Sequence, residues 1–128
     1  MKETFVTEGI AAFINLASTE IYNGKDTEKF SIVLNMDQDE ADKLRAKDVI
    51  VKEYKNVPQR KFASKWDVPV FEVDDSMASK HIPYGSKVRV LWEKGDPHPV
   101  HKTIPYLKKV RVLEYAEGVS GEGKNEDF

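Results

Sequence analysis

Three short stretches of this chain combine cations with aromatic rings at spacings that suit a polyanion carrying flat bases. Arg60-Lys61-Phe62-Ala63-Ser64-Lys65-Trp66 interleaves cations and rings; Lys87, Arg89 and Trp92 follow one another along a second stretch; Tyr106, Lys108, Lys109 and Arg111 do so along a third. Single strands of nucleic acid are held by cations along the phosphates and by aromatic faces on which bases stack, each stacked base contributing about 1–3 kcal/mol. The candidate contacts are therefore Arg60, Lys61, Phe62, Lys65, Trp66, Lys87, Arg89, Trp92, Tyr106, Lys109 and Arg111. Each ring has a competing use in a core. Trp92 shares a strand face with Val88 and Val90, and Phe62 suits the end of a barrel; Trp66 and Tyr106 fit the binding role better.

The charge distribution supports an anionic ligand. Residues 1–50 hold 6 Lys/Arg against 10 Asp/Glu, residues 51–111 hold 13 against 7, and residues 112–128 hold 1 against 5. The net charge of -2 thus conceals a basic middle between acidic flanks. Such asymmetry lets one surface attract an anion while another part of the chain imitates one. A mixed, solvated surface with chance clustering is the alternative on charge alone.

Other chemistries find little support. With no cysteine, disulfides and Cys-based metal or redox sites are excluded. The chain has no phosphate-binding Gly-rich loop ending in Lys-Ser/Thr, no His-Glu-x-x-His helix and no Gly-x-Ser-x-Gly elbow, so it is expected not to be an enzyme. His98 and His101 stand beside Pro97 and Pro99 without a well-spaced acid and read as loop residues rather than metal ligands. No cofactor is implied. No apolar run reaches the length of a membrane span and the first residues lack a signal-peptide apolar core, so a cytoplasmic protein with no membrane partner is expected.

The elements that must position these residues are mostly strands. Phe30, Ile32, Leu34 and Met36 alternate with Lys29, Ser31, Val33 and Asn35, the period of a strand with one buried face. Gly9–Ala17 is apolar enough to pair with it, and Tyr22-Asn23-Gly24-Lys25-Asp26 supplies turn residues between the two. Asp37 with Glu40 three residues on marks a helix start, and apolar spacing carries that helix from about residue 38 to about 54, where Asn56-Val57-Pro58 ends it. Val49-Ile50-Val51 opposes its second half. Short strands follow over Val68–Val73, Lys87–Glu93 and Ile104–Ala116. Five strands with one helix between the second and third suggest a closed or partly open barrel of the OB type, which binds oligonucleotides, with a sandwich as the alternative.

Ile82-Pro83-Tyr84-Gly85-Ser86-Lys87-Val88-Arg89-Val90 and Ile104-Pro105-Tyr106-Leu107-Lys108-Lys109-Val110-Arg111-Val112-Leu113-Glu114 resemble the last two barrel strands of replicative single-stranded-DNA-binding proteins of lytic tailed phages. Gly9–Ala17, Phe30–Asn35 and the acid-capped helix follow in the same order. The resemblance implies a mainly β chain: a five-stranded OB-type barrel with one helix inserted after the second strand, plus a flexible acidic C-terminal tail. It places a single-stranded-DNA-binding domain at 1–117 and a disordered tail at 118–128. Glu126, Asp127 and Phe128 match the family's acidic, aromatic-ended tail, which implies docking on replication proteins such as the polymerase. This tail carries few charges, so docking suits it better than strong competition with DNA for the basic groove. The implied function is sequence-tolerant binding of single-stranded DNA in phage replication or recombination, in the host cytoplasm, with a homodimer left open. An RNA-binding or protein-interaction module without a replication role is the alternative.

Overall fold

Side chains of an extended strand point alternately to its two faces, so the buried half of each strand marks the inside of the fold. The computed structural model describes residues 3–100 and 102–116. Its elements are β1 (Thr4–Asn15), β2 (Ile21–Tyr22), β3 (Lys25–Asp26), β4 (Phe30–Asn35), α1 (Gln38–Ala46), β5 (Lys52–Tyr54), β6 (Val57–Ser64), β7 (Val70–Phe71), β8 (Lys87–His98) and β9 (Lys102–Glu114). The main sheet has the order β5-β6-β4-β1-β8-β9-β7, and a further β6–β9 pairing closes five of its strands into a ring. Neighbours in the ring are antiparallel except at the closure, where β6 and β9 run parallel and meet at Ala63 and Tyr106. The helix follows the second ring strand, as expected. The residues assigned to the acidic tail lie outside the described ones.

The first strand belongs to both sides of the ring. Its Thr4–Ile10 half pairs with Glu93–Lys87 of β8, and its Ile10–Asn15 half pairs with Asn35–Ser31 of β4. Gly9 sits at the changeover; a Cβ there would lie 2.6 Å from the Asn35 carbonyl oxygen. The register then slips between Ala11 and Phe13, leaving one extra residue in β1.

Inside the ring, Ile32, Leu34, Phe62, Val88, Val90, Trp92, Leu107, Val110 and Val112 are buried. They are the alternate residues of β4, β6 and β8, while in β9 the alternation slips by one between Leu107 and Val110, where its register with β8 shifts. Trp92 is fully buried: its ring centroid is 5.0 Å from that of Phe5 and 6.3 Å from that of Phe62, and its Nε1 donates to Thr7 Oγ1 at 2.9 Å. The buried indole N–H therefore has its partner, which a polar group removed from water requires.

The helix starts where the sequence places it and stops sooner. Asp37 accepts a hydrogen bond from the Glu40 N–H at 2.9 Å, capping the first turn. Glu40 reaches across to accept from the Glu8 N–H at 3.2 Å, tying the helix start to β1. The expected continuation to residue 54 is corrected: the helix ends at Ala46. Asp48 takes a left-handed φ of 67°, while Val49 N–H bonds Leu44 C=O and Asp48 N–H bonds Arg45 C=O, each at 3.0 Å. This is a Schellman closure, with Val49 and Leu44 both buried in the accompanying apolar contact. Residues 52–54 instead form β5, which turns into β6 through Lys55 and Asn56, both at positive φ, as a two-residue hairpin of the mirror-image type demands.

Candidate nucleic-acid interface

The outward faces of β4 and β6, together with the start of β9, enclose an open groove of about 610 Å³. Lys29, Lys52, Arg60, Lys61 and Lys65 stand around it, and Val33, Ala63, Ile104, Pro105 and Tyr106 supply its apolar surface. Strand pairing explains the assembly. Val33 opposes Lys61, Gln59 opposes Lys52, and Ala63 opposes Tyr106 across the ring closure. β4 and β6 are the second and third strands of the ring in chain order, the pair whose face takes oligonucleotides in OB folds.

The groove's cations are only partly paired. Lys29, Lys52 and Lys65 form no salt bridge or side-chain hydrogen bond among the described residues. Lys61 is held, its Nζ 3.0 and 2.9 Å from the two Glu20 carboxylate oxygens. Burial alone would raise the Glu20 carboxyl, but the hydrogen bond and charge of Lys61, joined by a Ser31 hydrogen bond and the charge of Lys29, outweigh it and hold Glu20 below the usual carboxylate range. Glu20 thus stays ionised and occupies the cation from inside the protein. Arg60 donates through Nη1 to the Ile50 carbonyl at 3.1 Å and is partly buried, which lowers its guanidinium below the ordinary arginine range.

Tyr106 is the ring of the groove. It is 47% exposed, and its inner side lies on Gly95 of β8. A Cβ at Gly95 would overlap Tyr106 Cε2 and come within 2.7 Å of the Ile104 carbonyl oxygen. The absent side chain is what lets the phenol ring sit down on the sheet with its other side to the groove, the arrangement in which aromatics cover strand glycines. Trp66 is 75% exposed immediately after Lys65, its N–H donating to Ser64 Oγ at 2.9 Å.

Not every residue expected at the site is in this groove. Phe62 and Trp92 have no exposed surface and present no face to a base; their place in the core is the correction that strand alternation requires. Arg89, Lys109 and Arg111 line a separate cleft of about 450 Å³ with Val6, Phe71, Asp75 and Leu91. There Arg89 chelates Glu8 Oε2 at 2.9 and 2.7 Å, and Arg111 binds the Glu72 carbonyl and Asp75 Oδ1, each at 2.7 Å. Tyr115 donates to Glu72 at 2.8 Å, and burial together with that carboxylate pushes its phenol up to about 12. These contacts clamp the end of β9 to the segment after β7. Lys87 faces a third hollow beside Glu8, Asp37 and Glu40.

Sequence reasoning missed Lys29, Lys52, Val33 and Ile104. Val33 carried a signal, being an apolar residue at an outward position between Ile32 and Leu34. Lys52 did not, because its segment reads as helix. Among the described residues no three His, Asp or Glu side chains gather to hold a metal, and no helix is long and apolar enough to cross a membrane.

No family model matches the chain, and no curated protein matches it significantly in sequence. Solved structures do match. A C-terminally truncated single-stranded DNA-binding protein of bacteriophage Enc34 superposes with a TM-score of 0.67 at 13% identity, covering 89% of this chain and 87% of that one. The Enc34 protein in complex with single-stranded DNA gives 0.65 at 11%, covering 89% and 88%. The single-stranded DNA-binding protein encoded by bacteriophage T7 gives 0.61 at 12%, covering 98% and 99%. At such identities the likeness is one of architecture: the chain has the fold of these phage single-stranded DNA-binding proteins.

Proposed function

We propose that the protein binds single-stranded DNA without sequence preference in phage replication or recombination, as a non-enzymatic coat on the strand. The observation that carries this reading is the groove on β4 and β6, whose lining combines three lysines without salt bridges and a half-exposed aromatic ring. Lys29, Lys52, Lys61, Lys65 and Arg60 meet phosphates; Tyr106 and Trp66 stack on bases. Contacts to phosphate and to the face of a base carry no sequence information, so binding is sequence-tolerant. The Enc34 protein of the same fold, solved in complex with single-stranded DNA, supports the choice of ligand. Lys87, Arg89, Lys109 and Arg111 are left outside the contact set in this reading.

Titration of oligonucleotides at several salt concentrations tests it. Affinity is expected to fall steeply with salt through counterion release, with deoxyribo-oligomers bound at least as well as ribo-oligomers and duplex bound more weakly. Salt-insensitive binding, or a preference for duplex, overturns the reading. A preference for ribo-oligomers assigns the groove to RNA through the 2′-hydroxyl. Glu20→Gln should remove the carboxylate that competes with phosphate for Lys61 and so raise the affinity for single strands. An unchanged affinity would remove Lys61 from the contacts.

The same proposal gives residues 1–117 to DNA binding and 118–128 to a tail that docks on replication proteins such as the polymerase, in the host cytoplasm. Glu126, Asp127 and Phe128 offer two anions and a ring for that docking. Deleting them is expected to leave DNA affinity equal or higher and to abolish capture of the replication partner. Capture that survives the deletion refutes the docking role.

A further inference from the structure

Phe13 is 59% exposed, and an irregularity in the fold puts it there. The pairing of β1 with β4 passes from Ala11 opposite Leu34 to Phe13 opposite Val33, so Ala12 and Phe13 together face one residue. Ala11 and Leu34 point into the core. Plain alternation onward from Ala11 would send Phe13 inward as well. The extra residue reverses the parity, as bulges do when they re-aim a side chain. A large apolar ring is thereby turned into water, where it adds nothing to the core. Its new neighbours are informative: Phe13, Val33 and Lys61 form one cross-strand row, and Val33 and Lys61 both line the groove. Directly paired residues share a face, so Phe13 continues the groove's surface onto β1.

We propose that Phe13 is a second base-stacking side chain, at the opposite end of the track from Tyr106. This inference rests on the single-stranded DNA reading given above. The strand crosses β9, β6, β4 and β1 in turn, meeting a ring at each end and Lys61 in between. Three interstrand steps of about 4.8 Å separate the two ring-bearing strands by about 14 Å, which leaves room for further nucleotides between the stacked ones.

The test uses the full chain and oligothymidylates of two lengths, one spanning the whole track and one short enough to occupy the Tyr106 end alone. Phe13→Ala is expected to weaken binding of the longer oligomer by about 5- to 150-fold, the range for one lost stack, and to leave the short one unaffected. The slope against salt should not change, because a ring that meets a base displaces no counterion. In a Trp66→Phe background, Phe13→Trp should bind at least as tightly as that background, and its emission should be quenched by the longer oligomer above the silent background of buried Trp92. Parental affinity in Phe13→Ala, or an unquenched Trp at position 13, overturns the inference. So does a Phe13→Ala chain that binds normally but elutes as a smaller species, which would assign the ring to a contact between copies. A parental chain that binds no single strand is a different failure, and it removes the proposed function itself.

Discussion

Gly95→Ala is expected to cost the protein about 5- to 150-fold in affinity for single strands, nearly as much as removing the Tyr106 ring outright. The added methyl would overlap Tyr106 Cε2, stand 3.0 Å from Cδ2 and press within 2.7 Å of the Ile104 carbonyl. The backbone of β9 cannot retreat without breaking its pairing with β8, so the ring must swing off the sheet. A base that stacks on it in the parent then finds no fixed surface. Tyr106→Ala removes the same stack from a side chain that is 47% exposed, and should fold normally. Oligonucleotide titration of both single variants and the double variant checks the coupling. The double variant should lose no more than Tyr106→Ala alone, since neighbouring residues that act through one contact are not additive. Additive losses would separate Gly95 from the ring, and parental affinity in Tyr106→Ala would remove the ring from the site.

Neutralising Lys29, Lys52 and Lys65 together to Gln should flatten the salt dependence by about 2 in the logarithmic slope, at about 0.7 per phosphate contact on a single strand. These lysines form no salt bridge among the described residues, so their loss leaves no carboxylate stranded and stability should hardly move. The informative control is Lys87→Gln with Lys109→Gln, which alters net charge on surfaces outside the groove. If the control flattens the slope as much per lysine, affinity follows overall charge rather than this groove. Trp66 emission reports both titrations, because Trp92 is sealed in the core.

The fold was legible wherever a single period governed a segment. Phe30 to Met36 alternate because one face of β4 is core, and Asp37 declares the helix start because its side-chain oxygen satisfies one of the first N–H groups. The helix end was hidden, since its left-handed residue is Asp48 rather than glycine and Val49 and Val51 keep an apolar spacing that a helix also shows. The hairpin at Lys55-Asn56 was hidden for the same reason. At the site, cations and rings in sequence located one groove through Lys61, Lys65 and Tyr106, but sequence proximity could not tell which way a ring points. Phe62 and Trp92 occupy the buried parity of β6 and β8, which only pairing with Ile32 and Leu107 settles. Phe13 was beyond reach, because one inserted residue reverses its side of the strand.

The thinnest joint of the ring lies beneath the proposed ligand. β6 and β9 meet at a single residue pair, whereas β8 and β9 are paired along most of their length. Such a seam joins chain segments far apart in sequence and forms late, after the hairpins that bring its edges together. A seam this short is expected to open before the β8–β9 ladder, so its amides should exchange with solvent well before those of that ladder. A strand lying from Tyr106 to Lys61 bridges the two lips of that seam. In the proposed complex DNA would act as a staple across the ring, and a bound chain would resist opening in proportion to how tightly it holds its ligand.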